Sequence, residues 1–110
     1  MESTEAVAAL SALAHPARLS LFRALVRAGN GGEAAGDLAD RLALPPSTLS
    51  HHLATLERSG LIAHARHHRH LIYAVAPAAI RDLIAFLVED CCEGRPELCG
   101  GAPSCGMPAS

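Results

Sequence analysis

Residues 35–60 read AGDLADRLALPPSTLSHHLATLERSG, and this stretch decides the fold. The segment from Ala35 to Leu42 predicts a short helix with Leu38, Ala39 and Leu42 facing inward. Pro45-Pro46 marks a turn. Pro46 suits the first position of a second helix, where its missing N–H is one that a helix start leaves unpaired in any case. That helix runs to about Ser59, with Leu49, Leu53 and Leu56 as its buried stripe and Gly60 placed to end it. Two short helices across a tight turn form a helix-turn-helix pattern.

Working outward, Glu5–Ala14 predicts a first helix with Ala6, Leu10 and Leu13 on one side. His15-Pro16 interrupts it, because the residue before proline avoids the helical region. A second helix follows, with Leu19, Phe22, Leu25 and Val26 at helical spacing as its buried face, and stops at the breaker cluster Gly29-Asn30-Gly31-Gly32. On the other side, Leu61–His64 and Leu71–Val75 predict two strands, joined by the cationic connector Arg66-His67-His68-Arg69. They form a β-hairpin without the Asn-Gly or Asp-Gly of the tightest turns. Pro77 opens a last helix whose apolar stripe is Ile80, Leu83, Ile84, Leu87 and Val88, continued by Cys91. The expected fold is therefore mostly α with a β-hairpin wing, a winged helix-turn-helix. Residues 1–92 are expected to form one winged helix-turn-helix domain, and 93–110 a flexible Gly- and Pro-rich tail carrying cysteines.

Composition bounds the rest. The chain has 110 residues, enough for one domain with a modest core. No apolar run reaches the length of a membrane span and the opening residues carry no secretory signal, so a cytoplasmic protein is expected. Net charge is −2, but its distribution is uneven. Between Arg41 and Arg81 lie six of the seven histidines, Arg58, Arg66 and Arg69, and the single acid Glu57. A basic middle between acidic flanks suits a surface that meets a polyanion.

The outward face of the predicted recognition helix carries Ser47, Thr48, Ser50, His51, His52 and Thr55. Hydroxyls and imidazoles both donate and accept at base edges, and the first turns of such a helix reach the major groove of double-stranded DNA. Arg66, His67, His68 and Arg69 at the hairpin tip supply cations for phosphates or the minor groove. Clustered histidines also bind zinc or nickel, but the interleaved arginines repel a cation and favour the phosphate-facing reading. His15 reads as a helix-boundary residue. No Gly-rich phosphate loop, acidic pair or nucleophile–base motif supports an enzyme.

These residues resemble a known family. Leu13-Ala14-His15-Pro16-Ala17-Arg18-Leu19 with Leu21-Phe22-Arg23-Ala24-Leu25 is similar to the opening of ArsR/SmtB-type metalloregulators. Leu49-Ser50-His51-His52-Leu53-Ala54-Thr55-Leu56 through Ser59-Gly60-Leu61-Ile62 resembles their recognition helix and the start of their wing. The resemblance spans about Ala9 to Cys92. It implies a homodimer through the first and last helices, and a repressor that leaves DNA when an effector binds.

The cysteines bear on the effector. Cys91, Cys92 and Cys99 place three thiols within nine positions, with Cys105 as a further candidate ligand. In a reducing compartment, clustered thiols more often mean metal binding or redox chemistry than a disulfide framework. Adjacent cysteines sit about 100° apart on a helix. They converge on one ion only if the helix ends there, as Gly94 and Pro96 favour. Three thiolates without a nearby histidine suit a soft ion, and As(III) or Sb(III) takes a three-sulfur pyramid. A Cys-Cys pair ending the last helix, followed by one later Cys, is similar to the arsenite- and antimonite-sensing subgroup. Sensors with thiolates in the third helix are disfavoured, since Ala34–Leu42 holds no cysteine. Zinc sensors of the family are disfavoured too, since no histidine lies between Arg81 and Ser110. Two rivals remain: a Zn or Cd site completed by Cys105, since four thiolates suit a tetrahedral ion, and a thiol-redox switch.

Overall fold

The computed structural model describes residues 1–88. Cys91, Cys92, Cys99 and Cys105, and the expected tail 93–110, lie outside the described residues. Five helices and three strands occur among those described: α1 Ser3–Leu13, α2 Pro16–Ala28, β1 Glu33–Ala34, α3 Ala35–Leu42, α4 Pro46–Arg58, β2 Ile62–His67, β3 His70–Val75 and α5 Pro77–Val88, with a 3-10 turn at Gly29–Gly31. The expected winged helix-turn-helix is present.

Local chemistry sets most boundaries. Pro16, Pro46 and Pro77 each begin a helix. The His15 ring caps α2, its Nδ1 accepting from the Ala17 N–H at 3.1 Å. α4 closes where Gly60, at φ +88, lets the Gly60 and Leu61 N–H groups donate back to the Glu57 and Leu56 carbonyls. α3 ends at Ala43, which holds a left-handed φ of +55 while the Leu44 N–H donates to the Ala39 carbonyl at 3.0 Å.

The core is built from leucine and alanine. Leu21 and Leu25 of α2, Leu38 of α3, Leu49, Leu53 and Leu56 of α4, and Leu61 are fully buried. Burying each such side chain contributes about 1.5–3 kcal/mol. α1 presents Ala6, Ala9 and Ala12 to this cluster, small side chains that allow close packing. Leu83 attaches α5.

Three expectations need correction. On α2 the buried residues are Leu21, Ala24 and Leu25, with Phe22 half-buried, whereas Leu19 and Val26 are 45% and 48% exposed. The inward face is centred on Leu21 and Leu25, and steps of about 100° carry positions 19 and 26 away from it. The hairpin strands extend further than the apolar residues: His67 pairs with His70, leaving the two-residue turn His68-Arg69, so Arg66 is a strand residue. Backbone pairing continues past the core because ladder hydrogen bonds do not require apolar side chains, and His68 supplies the positive φ of +59 that so tight a turn demands. Finally, Glu33–Ala34 adds a third strand, giving an antiparallel sheet in the order β1-β3-β2 with Glu33 opposite Tyr73 and Ala34 opposite Ile72.

α1 and α5 pack together, and Val7, Leu10, Ile84 and Leu87 stay exposed on them. No helix among the described residues is long and apolar enough to cross a membrane.

Two substitutions with opposite signs check the backbone. At Gly32 (φ +73) an added Cβ would collide with the Tyr73 carbonyl oxygen, so Gly32→Ala is expected to cost at least about 1–2 kcal/mol. Ala43→Gly is expected to gain up to about 1 kcal/mol by relieving the left-handed turn, less the added entropy of the unfolded chain. Urea unfolding midpoints of the two variants read both directly.

Candidate nucleic-acid interface

The start of α4 is an exposed polar surface held on a rigid mount. Ser47, Thr48, Ser50 and His51 are exposed, while Leu49, Leu53 and Leu56 anchor the opposite side. A helix with side chains is about 10–12 Å across and fits a major groove about 12 Å wide. Thr55, one turn further on, is half-buried and its hydroxyl donates to the His51 carbonyl at 3.1 Å, which leaves its lone pairs to accept.

His52 is the exception to the expected reading face. It is 7% exposed and belongs to the buried side of α4. The cause is helical phase: position 52 lies three residues after Leu49 and four before Leu56, on the same stripe as the leucines. That spacing was visible in the sequence, where polarity outweighed it. Around His52 the structure gathers Arg18, His15 and His51. Arg18 Nη1 lies 3.5 Å from His52 Nδ1, and Arg18 Nε donates to the Ala12 carbonyl of α1 at 2.6 Å. The rings of His15 and His51 lie 4.8 and 5.9 Å from that of His52. Burial, then His15, Arg18 and His51, hold the His52 pKa below its ordinary 6.5.

The wing is fastened to the helix-turn-helix at two points. His64 Nδ1 of β2 meets Glu57 Oε2 of α4 at 2.7 Å, which engages the single acid of the basic segment. Arg41 of α3 meets Glu33 of β1 at 2.8 Å. Tyr73 stacks obliquely on His64, and its phenol pKa is raised by burial and then by the Glu57 charge. Such partly exposed pairs add only about 0–1 kcal/mol each, so they orient the wing more than they stabilise it. Arg66, His67, His68 and Arg69 are all exposed at its outer end. Glu33, Arg41 and the short strand carried no periodic signal in the sequence. A two-residue strand is set by the chain it pairs with, not by its own pattern.

Among the described residues no group of three or more His, Cys, Asp or Glu side chains is placed to hold a metal ion. The exposed polar groups are thus hydroxyls and an imidazole on the start of α4 and guanidinium groups on the hairpin, a set suited to a polyanion.

Comparison with known proteins agrees. A helix-turn-helix domain model matches residues 13–65. The HTH-type transcriptional regulator YgaV of Escherichia coli is 35% identical over 83 residues, covering 76% of this chain and 82% of YgaV. The chain belongs to the HTH-type transcriptional regulators. The transcriptional activator HlyU of Vibrio cholerae is 31% identical over 93 residues, covering 84% of this chain and 83% of HlyU. A HlyU structure superposes with a TM-score of 0.65, covering 84% of this chain and 99% of that one, and a structure of reduced HlyU with 0.63, covering 79% and 88%. An ArsR-like regulator from Rhodococcus sp. RHA1 shares the fold at 23% identity, with a TM-score of 0.73 and coverage of 86% and 87%. These relatives are transcriptional regulators rather than enzymes.

If the wing neutralises phosphates, an Arg66→Ala/Arg69→Ala variant should bind duplex DNA more weakly and show a shallower salt dependence. The slope of log affinity against log salt should fall by about 0.9 for each phosphate that is no longer neutralised. Fluorescence anisotropy across a salt series gives the slope, and an unchanged one would remove the wing from the interface.

Proposed function

We propose that this regulator is a cytoplasmic homodimer that represses transcription by binding operator DNA in its metal-free form and lets go when As(III) or Sb(III) binds the thiolates of Cys91, Cys92 and Cys99, with Cys105 as a further candidate ligand. The observation that carries the effector reading is the run of three thiols within nine positions, beginning three residues after α5. The uncovered apolar side chains Val7, Leu10, Ile84 and Leu87 support a dimer through α1 and α5, since they share one pair of packed helices. Repression, in place of the activation named for HlyU, is read from the family resemblance.

In the dimer, two copies of α4 enter successive major grooves about 34 Å apart. Thiolate binding beside α5 reshapes an interface helix and so changes the spacing or order of the two reading helices. Affinity for DNA then falls, and by linkage operator DNA weakens metalloid binding by the same factor. Thiol oxidation at the same cysteines is the second reading, favoured by a relative whose reduced form is distinguished as such.

Anisotropy of a labelled duplex from the protein's own promoter, titrated with arsenite, antimonite and zinc under reducing conditions, tests this. Metalloid should weaken binding roughly tenfold or more, within the usual range of such couplings, and Cys91→Ser should abolish the response. Release by zinc or by oxidant alone would reject the metalloid reading and leave DNA binding intact.

A further inference from the structure

We propose that His52 is a positioning residue for operator binding: its imidazole, wedged between His15 and Arg18, seats the recognition helix, and adding a proton there weakens the grip on DNA. This rests on the DNA-binding reading and adds a residue that reads no base.

The geometry carries the argument. A guanidinium has donors and no acceptor, so with Arg18 Nη1 facing His52 Nδ1 at 3.5 Å a lone pair on that ring nitrogen suits the contact and a proton there does not. Arg18 is itself tied through Nε to the Ala12 carbonyl near the end of α1. One side chain thus links the end of α1, the first turn of α2 and the middle of α4. His15 beside it is likewise used as an acceptor, at the cap of α2. A proton on His52 Nδ1 turns that acceptor into a donor facing a donor, and places a cation in a buried site.

Nothing around the ring compensates the added charge. The groups acting on it, His15, Arg18 and His51, are all basic, and Arg58 lines the same groove as Arg18. The charged residue of α1 is Glu5, in its first turn and engaged with the Glu2 N–H. Asp37 and Asp40 of α3 line a groove with Ser50, on the other side of α4. Glu57 is engaged by His64 of β2, and Arg66, the other cation of that strand, stands exposed on the wing. The remaining response is movement of the helix, and Ser47, Thr48, Ser50 and His51 stand within five residues of the joint.

Acidification acts on the rest of the surface as well, so the raw pH profile mixes contributions. A ratio separates them. Kd for the promoter duplex is measured at constant ionic strength from pH 7.5 to 5.5 for the full-length wild type and for His52→Gln, whose amide oxygen still accepts from Arg18 and does not titrate. The ratio of wild-type to variant Kd should rise by about two- to fivefold by pH 5.5, short of the tenfold of a full one-unit pKa difference because a midpoint held below 6.5 is only partly crossed in this range. A ratio that is flat or falls overturns the assignment and leaves DNA binding standing. Absence of binding at every pH by both proteins overturns both readings. Should His52→Gln not fold, the wild-type imidazole is titrated by NMR with and without the duplex. The duplex must lower the His52 midpoint, and a midpoint that is unchanged or raised contradicts the proposal.

Discussion

Leu49, Leu53 and Leu56 hold α4 to the body of the protein along one face only, because the other face must be free to enter a groove. A reading helix of three to four turns therefore has a single narrow stripe with which to fix its tilt and rotation. Burial of three leucines supplies attachment, but apolar contact is not directional and does not by itself define an angle. The directional contact on that stripe is His52, whose ring nitrogen takes a donor from Arg18. Arg18 in turn holds the end of α1. The orientation of the DNA-reading surface thus depends on a polar joint at the meeting point of α1, α2 and α4.

The wing depends on the same helix. Its sheet is fastened to α4 through Glu57 and His64 and to α3 through Arg41 and Glu33, so the guanidinium groups of Arg66 and Arg69 keep a set relation to Ser47–His51. In the proposed dimer, a change in how α1 and α5 meet a second copy would reach α4 through the helices they pack on, and the wing through these two pairs.

Much of this was legible in the sequence, and the exceptions have physical causes. Pro16, Pro46, Pro77 and Gly60 marked helix ends through steric rules that hold without tertiary context. Leu49, Leu53 and Leu56 fixed the phase of α4 correctly. Phase was misjudged on α2, where Leu19 and Val26 are apolar yet exposed, and at His52, which is polar yet buried. At His52 the helical spacing predicts burial and polarity argues against it, whereas α2 carries two overlapping apolar stripes and only the fold selects the one through Leu21 and Leu25. β1, the Arg41–Glu33 and Glu57–His64 pairs and the Arg18 bridge were not legible, since each joins positions whose proximity only the fold creates. The cysteines, which carry the effector reading, lie outside the described residues and rest on sequence alone.

The central claim is that α4 and the wing tip together form the DNA-binding surface. Backbone amide chemical shifts of the full-length protein, recorded with and without a promoter duplex, test it most directly. The account predicts that the largest changes fall at Ser47–His51 and at Arg66–Arg69. Changes concentrated instead on the face bearing Val7, Leu10, Ile84 and Leu87, with α4 and the wing silent, would contradict it.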